Sequence, residues 1–119
     1  MTTAAIAKKL VALCRKAKWE DAQKKLYATD AVSIEAEASP GFDKETKGRK
    51  AIIAKGKRFT SMIEKLHALK VSDPIVAEDT FACTMFIDMT MKGQPRGTMN
   101  EVCVYTVKKG KIVAEQFFY

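Results

Sequence analysis

Four side chains in this 119-residue sequence stand where they could move a proton: Glu35, Glu101, Glu115 and His67, the only histidine. Glu35 lies in the stretch "SIEAE", where a strand would turn Glu35 and Glu37 to one face. A strand that packs on a core has no use for two such acids unless the face is wet or lines a pocket. Glu35 is therefore read as a pocket base and Glu37 as a solvated rim residue. The other two acids are placed by a hairpin. The segment "VKKGK" fits a three-residue loop, Lys108-Lys109-Gly110, with Gly110 in the left-handed conformation. That register pairs Val107 with Lys111, Tyr105 with Val113, Cys103 with Glu115 and Glu101 with Phe117. Glu101, Cys103, Tyr105, Val113, Glu115, Phe117 and Tyr119 then share one face, and Val102, Val104, Ile112 and Phe118 the other. Glu101 and Glu115 become diagonal neighbours around Cys103. Two carboxylates in a partly dry site drive one pKa upward, so a neutral acid and a charged base coexist near neutrality.

These residues need a scaffold, and the pattern supplies one. Thr2 or Thr3 caps a helix whose apolar residues are Ile6, Leu10, Leu13 and Ala17. The segment "WEDAQKKLY" reads as a second short helix with Ala22, Leu26 and Tyr27 inward, followed by the strand "AVSIEAE" and the loop "ASPGFDKETKG". A third helix is predicted from about Arg49 to Lys65, with Ile52, Gly56, Phe59 and Ile63 as its stripe. Only strands follow. Helices first and antiparallel strands after make an α+β fold, a single domain over 1–119, with helices packed on one face of the sheet. Both faces of the last hairpin are apolar, so a partner subunit is expected on the face away from the helices.

The bulk properties exclude several classes. No apolar run approaches the roughly 20 residues of a membrane span. Residues 1–17 are amphipathic, without the unbroken apolar stretch of a secretory signal. Three cysteines without CxxC spacing point to reduced thiols and a cytoplasmic setting, and a lone histidine disfavours a metal site. No cofactor is called for. The net charge of +7 gathers at Lys47, Arg49, Lys50, Lys55, Lys57 and Arg58, and again at Lys108, Lys109 and Lys111. Helical spacing makes the first set a solvated face and the second a soluble turn, so nucleic-acid binding is the lesser reading.

The order of helix, short helix ending "LYATDAVSIE", loop, "KGRKAI" opening a helix, and four strands ending "YTVKKGKIVAEQFFY" resembles the nuclear transport factor 2-like superfamily. It is most similar to the SnoaL-like branch, which also holds the ketosteroid isomerases. The resemblance implies a cone-shaped, cystatin-like half-barrel, its curved antiparallel sheet wrapped around three helices and enclosing a pocket, with dimers through the outer sheet face. In ketosteroid isomerases an Asp at the end of the first strand is the base, and that place falls on Glu35. Their two oxyanion donors, a Tyr and a protonated Asp, fall near Val11 and Cys103, neither of which donates well. Authentic ketosteroid isomerase activity is therefore not expected. The resemblance also puts Cys83, Met85, Ile87, Met89 and Met91 on the pocket face. Trp19 and Tyr27 would plug the closed end, with the Tyr27 hydroxyl near Glu35. His67 would face inward as a proton shuttle or a hydrogen-bonded structural residue, and Cys103 would be an inert wall thiol.

Two functions fit. One is cofactor-independent proton transfer next to a carbonyl, or a related dehydration or cyclisation, in a small apolar or carbonyl-containing molecule. Glu35 would be its base and Glu101 or Glu115 its neutral acid. The other is a non-catalytic ligand-binding or dimeric interaction module.

Overall fold

The computed structural model describes residues 1–119 as three helices and seven strands. Helix α1 (Thr3–Arg15) starts where the Thr2 hydroxyl accepts a hydrogen bond from the Ala5 backbone N–H at 3.1 Å. Replacing Thr2 by Ala is expected to cost about 1 kcal/mol of stability, read as a shift in the denaturant midpoint at unchanged slope. Ala17, expected in the helical stripe, instead stops the helix with a left-handed φ of 56°. Helix α2 (Trp19–Leu26) has Glu20 and Asp21 at its positive end, and Tyr27 opens strand β1 (Tyr27–Ile34) instead of closing the helix.

A short β2 (Glu45–Lys47) lies inside the segment read as loop, and leads to α3 (Arg49–Met62). Helix α3 is three residues shorter than its pattern suggested. Ile63 passes straight into β3 (Ile63–Val71), where pairing with Met91 satisfies the backbone that further helix would have satisfied. Strands β4 (Ile75–Ala77), β5 (Thr80–Met91), β6 (Arg96–Lys108) and β7 (Lys111–Phe118) complete the chain.

The strands form one curved, open sheet in the order β2-β1-β7-β6-β5-β3, with β4 also on β5. The sheet is mixed, not wholly antiparallel as expected. The first strand and the last run parallel, because they meet through a long connection that no hairpin imposes. Bulges interrupt β1, β3 and the β6–β7 ladder, and each one bends the sheet around the helices. The concave side holds the core, where Ile6, Leu10, Ile52 and Ile112 are sealed from solvent and the Phe81 ring stacks on Tyr105 at 4.8 Å. No helix is long and apolar enough to cross a membrane.

The last hairpin departs from its expected register. Its loop has two residues, Lys109 and Gly110, both at positive φ, and Lys108 pairs with Lys111. A bulge at Val113 follows, so Tyr105 faces Glu115 and Cys103 faces Phe117. The two changes displace the pairs by two, which keeps Glu115 and Phe117 on the inner face. Ile112, expected outside, is fully buried instead. On the outer face Val102 and Phe118 are 42% and 50% exposed, an apolar surface that nothing in a single chain covers.

Candidate functional site

Between the helices and the concave sheet lies a cavity of about 780 Å³. Trp19, Phe59 and Met62 contribute from the helical side, and Met85, Ile87, Met91, Met99 and Phe117 from the sheet. Glu35, Glu101 and Glu115 all reach its lining, as do Tyr27, Tyr105 and Tyr119.

Four expected wall residues lie elsewhere. Cys83 and Cys103 oppose each other across β5 and β6, and with Met89 they belong to the sealed core. Burial there, helped by the nearby Cys83, pushes the Cys14 thiol up to about 12. His67 falls where a bulge in β3 breaks strand alternation, and its ring nitrogen meets the Thr90 hydroxyl at 2.8 Å. Thr90 alternates with the inward Met89 and Met91, so His67 belongs to the outer face and not to the pocket.

The polar end of the cavity is organised by a lysine. Lys55 of α3, with its side chain 8% exposed, donates from Nζ to Ser33 Oγ at 2.7 Å and to Glu35 Oε1 at 2.9 Å. Ser33 in turn donates to Glu115 Oε2 at 2.6 Å, and the Tyr27 hydroxyl donates to the other oxygen of Glu115. Tyr27 was expected near Glu35; Tyr119 is the phenol that reaches it, donating to Oε2 at 3.2 Å. Glu35 itself sits one residue past the end of β1, in an ion pair, while Glu37 is exposed.

The three acids differ in electrostatics. Glu115 is fully enclosed, and burial raises its pKa against the opposing pull of Ser33, Tyr27 and Lys55. Glu101 is raised from 4.5 to about 7, first by burial and then by the charge of Glu35. Its sole side-chain donor is the weak Cys103 thiol at 3.7 Å. The expected diagonal contact between Glu101 and Glu115 does not form. The two-pair displacement puts Glu115 opposite Tyr105, roughly 13 Å along the strand from Glu101. No three His, Cys, Asp or Glu side chains gather as a metal site would need.

Sequence reasoning missed Lys55 and Ser33. Both had a signal. Lys55 falls three residues after Ile52 and four before Phe59, inside the apolar stripe, and Ser33 shares strand parity with Glu35. Gly56, beside Lys55, leaves room for the Gln23 amide, whose buried Oε1 has no partner in the protein.

The profile of the SnoaL-like domain matches residues 1–119. The chain belongs to the SnoaL-like family. A Mesorhizobium loti protein provisionally assigned as a SnoaL-like polyketide cyclase is 36% identical over the whole of both chains, with a TM-score of 0.91. Two more distant structures share the fold. An NTF2-like protein of unknown function from Burkholderia pseudomallei is 15% identical over 100% of this chain and 92% of its own, with a TM-score of 0.81. A Mycobacterium tuberculosis protein in complex with estradiol-17β-hemisuccinate is 19% identical over 100% and 95%, with a TM-score of 0.75. No curated protein matches the chain by sequence. This SnoaL-like domain thus has the expected α+β half-barrel, and a polar network at one end of its cavity.

Proposed function

We propose that this SnoaL-like domain binds a flat, largely apolar carbonyl compound and catalyses proton transfer at the carbon beside the carbonyl. No organic cofactor is needed for that step. The observation that carries the reading is Glu101, a carboxylate on the wall of an apolar cavity with a pKa near 7. A group poised at the working pH both accepts and returns a proton, so one carboxylate serves both halves of an isomerisation or cyclisation. The base role first drawn for Glu35 thereby passes to Glu101. The Glu35 carboxylate is occupied by Lys55 on one oxygen and Tyr119 on the other, whereas Glu101 has no cationic partner. The polarisable methionine and aromatic walls suit ligands of irregular outline. The steroid ester held by the Mycobacterium tuberculosis protein is of this general kind.

The exposed Val102 and Phe118 support a second element of the reading, a homodimer through the outer sheet face. The sealing of Glu115 and the pairing of Glu35 favour the alternative, a carrier that binds the same ligands without turning them over.

Native mass spectrometry of the purified protein reads both oligomeric state and retained ligand. Incubation with an aromatic β-diketone and with a ketosteroid in heavy water then tests the chemistry. Enzyme-dependent deuterium incorporation beside the carbonyl, followed by NMR, is the expected result. Binding without exchange would leave the carrier, and an empty monomer would remove both the ligand and the dimer.

A further inference from the structure

We propose that Lys55 is the electrophile of this site, its ammonium donating a hydrogen bond to the ligand oxygen on which charge develops. This rests on the proton-transfer reading above. The residues near the two oxyanion-donor places of related isomerases, Val11 and Cys103, are both off the cavity lining, so a replacement is required if charge on oxygen is to be stabilised.

Lys55 meets the requirement in three ways. It lines the cavity from the middle of α3. An ammonium has three donors, and two are taken, by Ser33 Oγ and Glu35 Oε1. The third has no acceptor in the protein. The nitrogen lies 5.9 Å from the centre of the Phe117 ring, another cavity wall, which offers it no hydrogen-bond acceptor of its own. Its two bonds also fix it. Ser33 passes its own proton toward Glu115, which Tyr27 holds from the other side, so the nitrogen is braced by residues of β1 and β7 and needs no rearrangement to act. Braced donors in a water-poor site stabilise developing charge more than mobile ones in water.

The step balances without a co-reactant. The Glu101 carboxylate takes the proton beside the carbonyl, and the C–H electron pair becomes a carbon–carbon double bond. The carbonyl π pair moves to oxygen, which the free Lys55 N–H meets. Return of the proton from Glu101 to the same carbon gives exchange. Where the ligand carries a β,γ double bond, the oxygen pair re-forms the carbonyl, the double bond shifts to the α,β position, and the proton returns to the γ carbon to give the conjugated isomer.

A phenol imitates that enolate, and 2-naphthol reports its own ionisation by absorbance. The groups around a bound naphthol oxygen decide the direction of its shift. Glu35, Glu101 and Glu115 would each resist ionisation, as would burial itself. Lys18 and Lys57 line the outer part of the cavity as exposed side chains, Lys57 lying 3.7 Å from Glu20. The Tyr27 and Tyr119 hydroxyls are committed to Glu115 and Glu35, and the Tyr105 hydroxyl is a neutral donor, so Lys55 is the one cation at the buried end that favours naphtholate.

The expected result is that naphthol bound to the wild-type protein titrates below free naphthol. In Lys55→Met the preference for naphtholate over naphthol should fall roughly 10–100-fold, and Lys55→Arg should recover part of it. Wild-type protein that binds naphthol but titrates it at or above the free value overturns the Lys55 role and leaves the cavity reading standing. Failure of the wild-type protein to bind naphthol at any pH removes the cavity reading and the Lys55 role with it. A wild-type value below free naphthol that Lys55→Met retains would assign the shift to the Tyr105 hydroxyl and overturn the Lys55 role, whereas Tyr105→Phe, which leaves Lys55 in place, should keep the shift.

Discussion

Glu101→Gln is expected to stabilise the protein above pH 7 while slowing its proton transfer roughly 10²–10⁴-fold. Burial raises the Glu101 carboxyl from 4.5 to about 7 in the folded protein. Below pH 4.5 folded and unfolded chains both carry the proton, and the group has no effect on the balance between them. Between pH 4.5 and 7 the unfolded chain releases the proton while the folded chain keeps it, so stability falls as pH rises. Above 7 the full cost of an ionised carboxylate in the cavity wall is present. At 1.36 kcal/mol per unit the shift corresponds to about 3 kcal/mol, and contact with cavity water reduces it to about 2 kcal/mol. Glutamine keeps the shape and never ionises. Urea unfolding of both proteins at pH 4.5, 6 and 8 should show a gain that is near zero at the first pH and largest at the last. A gain equal at all three would mean that Glu101 is not raised. A variant that gains stability as it loses activity would mark Glu101 as held in place for its chemistry.

Glu115→Ala should have the opposite sign and a larger size, a loss of roughly 3–5 kcal/mol. Burial raises the pKa of both acids, yet their neighbours differ. Glu115 accepts from two hydroxyls, Tyr27 and Ser33, which are 3% and 0% exposed and have no water to turn to. Truncation strands both, removes the counter-charge beyond Ser33 that helps hold Lys55, and opens a void in the wall. Glu115→Gln should lose less, roughly 1–3 kcal/mol, because one amide oxygen still accepts while its NH2 confronts a hydroxyl. Denaturant unfolding of the pair of variants at neutral pH checks the order. If Ala were tolerated as well as Gln, the network would be ornamental.

The amount of this that is legible in the sequence depends on how local the cause is. The Thr2 cap, the helix order and the inward face of Glu101, Glu115, Phe117 and Tyr119 follow from neighbours along the chain. The face survived a wrong register because the displacement was by two, and strand parity repeats every two residues. The pairing itself depended on whether Lys109 would accept a positive φ, which composition does not decide. Lys55 was assigned to a wet helix face since charge normally means water. What overrules that is Glu35, twenty positions earlier, brought to it only by folding. The parallel pairing of β1 with β7 leaves no local trace at all.

That pairing has a consequence for how the protein comes to exist. β7 is synthesised last of the ten elements, yet it lies between β1 and β6 inside the sheet. Until it emerges, β1 with β2 and α3 has no ladder to the remaining strands, and the edges of β1 and β6 stay open. The nascent chain therefore carries two unmatched edges until β7 is made, and its folding waits on contacts more than 80 residues apart. The same late strand brings Glu115, Phe117 and the Tyr119 that follows it, so the binding chamber and the finished sheet arrive in one event.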